Sequence, residues 1–130
     1  MYRIVFLVVS VLGFVTEINA QQVEILPASE FQKKLKEVRG YLLDVRTDWE
    51  FDSGYIEGAI NADIHEEKFR ALAEKLDHHH PCFVYCFSGG RSQEAGVYLL
   101  SKGFSKVYEL QGGIAAWQKA GLAISKKSTN

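Results

Sequence analysis

Cys86 closes an unbroken apolar run, residues 82–86, and is followed at once by Phe87, Ser88, Gly89, Gly90 and Arg91. A thiol used only for packing has no need of such a successor. Adjacent glycines accept positive φ without steric penalty, so consecutive backbone N–H groups can turn toward one centre as an anion-binding nest. A helix opening after the glycines would add its positive end, and Arg91 supplies a fixed cation. Together these favour thiolate over thiol. A cysteine so placed is drawn below its ordinary value of about 8.5 and becomes nucleophilic near neutral pH. The competing use of Cys86 is as a small buried hydrophobe at a strand end, with the glycines as an ordinary tight turn.

The flanking elements must deliver that thiol to a sheet edge. "CFVYC" is apolar at every position, as in a strand covered on both faces. Upstream, "VEIL" and "YLLDV" read as strands. Between them, Phe31, Leu35 and Val38 recur at helical spacing behind Ser29 and Gln32 in capping-box register, with Gly40 as the stop. Thr47 and Glu50 form a second capping box opening a short helix over Trp49 and Phe51. "SGYIEGAINADI" is a turn-rich crossing that ends in a short strand, and Phe69, Leu72, Ala73 and Leu76 mark a further helix. Beyond Cys86, Ala95, Tyr98 and Leu99 mark a helix closed by Gly103, "KVYEL" is a strand, and "GGIAAW" opens a last short helix. Strands alternating with helices predict an α/β fold, a mostly parallel five-stranded sheet with helices on both faces. Ligands bind such sheets beyond the carboxyl ends of the strands, where Cys86 stands.

"LLDVRTDWEFDSGYIEGAIN", "CFSGGRS" and "GFSKVYELQGGIAAW", in that order after an opening strand and helix, resemble the single-domain rhodanese family. The likeness covers nearly all of residues 21–130. It implies the rhodanese-like fold and a nucleophile at the first position of a six-residue loop ending in arginine, which maps onto Cys86 through Arg91. The implied activity is that of a thiosulfate sulfurtransferase. A sulfane sulfur leaves thiosulfate, a persulfide or a polysulfide, rests on Cys86 as a persulfide, and passes to cyanide or a thiol; a thiol-bearing partner protein is a further acceptor. Phe87, Ser88, Gly89, Gly90 and Arg91 form the substrate-binding loop. Asp44 and Arg46 match the family's "DVR" and brace the sheet end beneath it. No metal or organic cofactor is implied. The family's usual histidine and proline in the crossing segment are Tyr55 and Glu57 here, and Phe87 and Ser88 bring no positive charge to the loop. Two rivals share these features: a non-catalytic binding or sulfur-relay module, and a phosphatase, whose cysteine loop is one residue longer.

Other candidates take plainer roles. Glu50 reads as a helix cap, Trp117 as core, Cys82 as inert, and Gly112 and Gly113 as points of close backbone approach. His78, His79 and His80 point in different directions along one loop and lack a cysteine to complete a zinc set, so a solvated loop is expected. Fifteen Lys and Arg against sixteen Asp and Glu, a net charge of −1, provide no broad basic field for nucleic acid. Residues 1–20 combine Arg3, an apolar run from Ile4 to Val15 and Ala20, the pattern of a signal peptide preceding one domain over 21–130. The run is shorter than the roughly 20 residues that span a bilayer, so a stable membrane anchor is not expected. The protein is expected to be exported, periplasmic or secreted. Cys82 and Cys86 lie about 13 Å apart if they share a strand, well beyond the roughly 7 Å a disulfide allows. Cys86 is therefore expected to remain a free thiol.

Overall fold

A computed structural model describes Gly13 and residues 22–128; apart from Gly13, the expected signal segment lies outside the described residues. Strand β1 (Glu24–Leu26) leads to helix α1 (Ala28–Glu37), β2 (Tyr41–Asp44) to α2 (Asp48–Ser53), and β3 (Ile60–Asn61) to α3 (Glu67–Lys75). Then β4 (Cys82–Tyr85) leads to α4 (Gly90–Ser101), and β5 (Val107–Leu110) to α5 (Gly113–Lys119). The sheet order is β1-β5-β4-β2-β3, with every neighbouring pair parallel. The expected parallel five-stranded sheet is the one observed.

The strand that delivers Cys86 is central. Val84 lies opposite Leu43 on one side and Glu109 on the other. Successive side chains point to opposite faces of a strand, and the core divides accordingly. Leu43, Cys82, Val84, Cys86 and Val107 pack with Phe69, Ala73, Ala95 and Leu99 from α3 and α4. Leu42, Phe83, Tyr85, Tyr108 and Leu110 pack with Phe31 of α1 and with Ile114 and Trp117 of α5. Both faces of β4 are covered, which is why it has no polar position. Trp117 is core, as expected, its ring edge-on to Phe31 at 6.4 Å and its indole N–H donated to the Ala123 carbonyl at 2.9 Å.

Two local expectations change. The Ser29–Gln32 capping box does not form: Pro27 occupies the cap position, no side chain caps the helix, and the Pro27 carbonyl accepts the Phe31 N–H at 2.8 Å. Proline's fixed φ starts the turn two residues earlier and leaves Ser29 inside it. Gly40 does not stop α1 either, since the helix ends at Glu37 and Val38 is already extended. Its lack of a side chain serves packing, because a Cβ there would lie 2.5 Å from the Pro81 carbonyl oxygen.

The end of the fold returns to the Cys86 loop. The Ile114 N–H donates to the Cys86 carbonyl at 2.9 Å and the Ala115 N–H to the Phe87 carbonyl at 3.2 Å. Gly113 has φ +62, and a Cβ on it would stand 2.3 Å from the Phe87 oxygen. The first turn of α5 thus pins the backbone just beneath the thiol. Gly113→Ala should lower stability by about 2–4 kcal/mol, read from urea midpoints; a midpoint matching wild type would show that the approach is not tight.

Candidate active site

Strand β4 ends in Tyr85, and the next residue turns its side chain inward: Cys86 is 1 % exposed. The turn from strand to helix is made at Gly89, φ +124, which caps α4. That backbone, closed to most side chains, lets the Gly89 N–H donate to Cys86 Sγ at 3.0 Å. One turn into α4, Ser92 Oγ lies 3.4 Å from Sγ. Burial is the largest influence on the thiol and opposes its ionisation. The Ser92 hydroxyl and N–H, with the Gly89 and Ser88 N–H groups, outweigh it, so the Cys86 pKa falls below its ordinary value. Cys82, four residues earlier on the same strand face, has burial alone acting on it, and its thiol is pushed up to about 12. Both cysteines are free. One is built to ionise, the other to pack.

The sequence makes Arg91 the loop's fixed cation. In the structure its guanidinium grips Glu50 with both arms, Nη1 to Oε1 at 2.7 Å and Nη2 to Oε2 at 3.0 Å. Its charge still bears on Cys86, but a carboxylate already balances it. Glu50 caps α2 as expected, with the Thr47–Glu50 box fully formed, and also holds the arginine, a role no local pattern announces. Asp44 and Arg46 sit below. Arg46 Nε and Nη2 donate to the Asp44 carboxylate at 3.0 to 3.1 and 2.7 Å, and Nη2 reaches the Gly54 carbonyl at 2.7 Å. This pair ties the end of β2 to the end of α2 and so fixes the helix that presents Glu50.

Two further residues escaped the sequence reading. Ser92 ends the "CFSGGRS" stretch, but nothing local assigns it a role. Glu109 lies in "VYEL", where a carboxylate among apolar neighbours was the available signal. Ser92 donates to Glu109 Oε1 at 2.8 Å, which places a buried acid one hydroxyl away from the thiol. Phe87, in contrast, is 51 % exposed and Trp49 74 %; with Arg46, Glu50, Ile114 and Gln118 they line a cavity of about 390 Å³ beside the loop.

The histidines do not form a site. His78 Nε2 lies 2.8 Å from the Ala73 carbonyl, whereas His79 and His80 both approach Asp77. Among the described residues no cluster of His, Cys, Asp and Glu could hold a metal ion, and no helix is long and apolar enough to cross a membrane.

The fold that carries this cysteine at the carboxyl end of a central parallel strand has known relatives over most of its length. The Rhodanese-like domain family matches residues 27–120. The chain belongs to the rhodanese-like family. Among solved structures, a rhodanese-related protein of Thermoplasma volcanium superposes with TM-score 0.70 at 27 % identity, over 80 % of this chain and 99 % of that one. A rhodanese-like domain protein of Staphylococcus aureus gives 0.69 at 26 %, over 82 % and 100 %. Among curated proteins, the tRNA uridine(34) hydroxylase of Chlamydia caviae is 37 % identical over 115 residues, 84 % of this chain, and that of Chlamydia muridarum 37 % over 112. This rhodanese-like chain spans about a third of their length, 34 % in both cases.

The Arg91–Glu50 pair makes a pH prediction. Hydrogen bonding from Arg91, assisted by Thr47 and opposed by burial, holds the Glu50 carboxyl at about 2, below its ordinary 4.5. A depressed carboxyl stabilises the fold fully above its unfolded value, and that contribution is lost as pH falls through the folded one. Wild-type stability should therefore drop between about pH 5 and about pH 2. Glu50→Gln, which keeps the cap, should show a shallower drop in urea midpoints across the same window. Parallel slopes would show that the pair adds nothing.

Proposed function

We propose that this rhodanese-like domain is a sulfurtransferase in which Cys86 carries the transferred atom as a persulfide. The observation that supports this most is the buried Sγ facing the Gly89 N–H and the Ser92 hydroxyl, with its ionisation eased against the cost of burial. The thiolate attacks the outer sulfur of a donor, a new S–S bond forms, and the donor's S–S bond breaks to release sulfite or a thiolate. The terminal sulfur of the resulting Cys86 persulfide is anionic, and the N–H groups of the loop are the donors at hand to solvate it. A thiolate or cyanide then attacks that sulfur, and Cys86 leaves as thiolate. Catalysis is covalent and in two steps, and it balances with donor and acceptor alone.

The Glu50–Arg91 pair bears on the donor. With its cation matched by a carboxylate, the loop presents little net positive charge to dianionic thiosulfate, which favours a persulfide or polysulfide, small or carried on a protein. The exposed Phe87 and Trp49 beside the loop suit an acceptor or donor with apolar surface. A second reading comes from the curated relatives, named as hydroxylases acting on tRNA uridine: a domain contributing to nucleic-acid modification within a longer protein. The net charge of −1 favours the sulfur reading.

Intact mass after incubation with polysulfide or thiosulfate should rise by about 32 Da per added sulfur on wild type and not on Cys86→Ser. No gain with any donor would sink the carrier role and favour a non-catalytic module. Export through residues 1–20 belongs to the same proposal, and a secreting host should yield a chain whose mass begins at residue 21; a retained N-terminus would refute it.

A further inference from the structure

The interior of a parallel sheet ordinarily holds aliphatic side chains, yet β5 places a carboxylate there. Glu109 is 4 % exposed and lies opposite Val84, on the face of the sheet that carries Cys86. Its Oε1 accepts the Ser92 hydroxyl at 2.8 Å, and Ser92 Oγ is the atom that stands 3.4 Å from Cys86 Sγ. The other oxygen, Oε2, is buried and has no hydrogen-bond partner among the described residues. An ionised carboxylate left half-satisfied in this way is expensive. An aliphatic residue would fill the space without that cost. Burial, more than the Ser92 bond opposes it, pushes the Glu109 carboxyl up, while the thiol two atoms away is drawn down.

We propose that Glu109, acting through Ser92, is the internal proton acceptor that sets the ionisation of Cys86. The S–H bond breaks as its proton passes to Ser92 Oγ, and the hydroxyl proton of Ser92 passes in turn to Glu109 Oε1. The products are a thiolate accepting from Ser92 and a neutral carboxyl donating to Ser92 Oγ. No electrons change hands. One negative charge moves along the chain rather than a new one arising in the interior, so the thiolate forms without adding net charge to a buried site. The Gly89 carbonyl, 3.2 Å from Ser92 Oγ, is the competing acceptor for the hydroxyl. Glu109 also lines a cavity of about 710 Å³ with Gln22, Val23, Ile25, Val97 and Leu100, which gives its carboxyl a way to exchange with solvent.

The groups facing the relay are few. Arg91 on α4 acts on Cys86 while bound to Glu50 of α2, and Asp63, after β3, acts on Arg91. Cys82 shares the β4 face. On β1 the residue opposite Glu109 is Ile25, whereas Glu24, paired with Lys106 at 2.6 Å, belongs to the other face.

The inference rests on Cys86 being the reactive thiol of the preceding section, but not on sulfur being its cargo. The test is the rate of Cys86 alkylation by iodoacetamide from about pH 4 to about pH 10, on the full chain, for wild type, Glu109→Gln and Ser92→Ala. Cys82, buried and held near 12, does not interfere. Wild type should show two steps separated by a plateau, because two coupled groups share the proton. Both variants should show a single step and react about tenfold more slowly on the wild-type plateau. Gln keeps the acceptor for Ser92 but cannot take a proton; Ser92→Ala cuts the chain and serves if Glu109→Gln fails to fold. A single step in wild type, or a variant that keeps two steps or is slowed equally at every pH, would overturn the relay. Two steps in wild type with no mass gain from any sulfur donor would keep the relay and sink the carrier proposal.

Discussion

A sulfur that is 1 % exposed can be an anion only if the protein replaces the water it has lost. Burial alone drives a thiol the other way, as Cys82 shows four residues earlier on the same face, held near 12. The rest of the site follows from this requirement. The loop must leave the sheet with a backbone open to glycine, so that an N–H reaches Sγ. A hydroxyl must come back from the first turn of the next helix. The carbonyls of Cys86 and Phe87 are engaged by the first turn of α5. Fold and chemistry meet in these few bonds.

The wall opposite the loop is built from charge instead of amides. Asp44 and Arg46 join the end of β2 to Gly54; α2 is thereby held with its capping residue Glu50 facing Arg91. Each of these charges is matched, as partly buried charges must be if they are not to cost stability. The consequence is a site whose selectivity does not rest on a strong positive field. Under the proposed sulfur transfer, shape, the N–H groups near the sulfur and the exposed faces of Phe87 and Trp49 are left to discriminate among donors and acceptors.

A rhodanese-like fold does not by itself specify a reaction, since one scaffold hosts several chemistries. The curated relatives carry a domain of this kind within proteins about three times as long and are named for hydroxylation of tRNA. What separates carrier from module is the state of one sulfur atom. The bonds around Cys86 favour an ionised thiol, and the carboxylate behind Ser92 suggests where its proton resides.

Much of the fold was legible in the residues because each local choice agreed with the whole. Apolar strands alternating with amphipathic helices dictate a parallel sheet covered on both faces, and the glycines after Cys86 announce a tight turn where the strand ends. The Thr47–Glu50 cap was equally plain, being a contact between residues three apart. Ser29 misled because Pro27, two positions earlier, sets the backbone first. Arg91's partner, forty-one positions away, and Glu109's approach to Ser92, seventeen away, were not legible. Periodicity and capping report interactions within one element, whereas these bonds exist only because parallel crossovers bring α2, α4 and β5 to the same end of the sheet. By itself the sequence determined which sulfur would stand at that end; the tertiary structure decided which groups share its charge and its proton, since desolvation and hydrogen bonding depend on neighbours that the chain order does not place together.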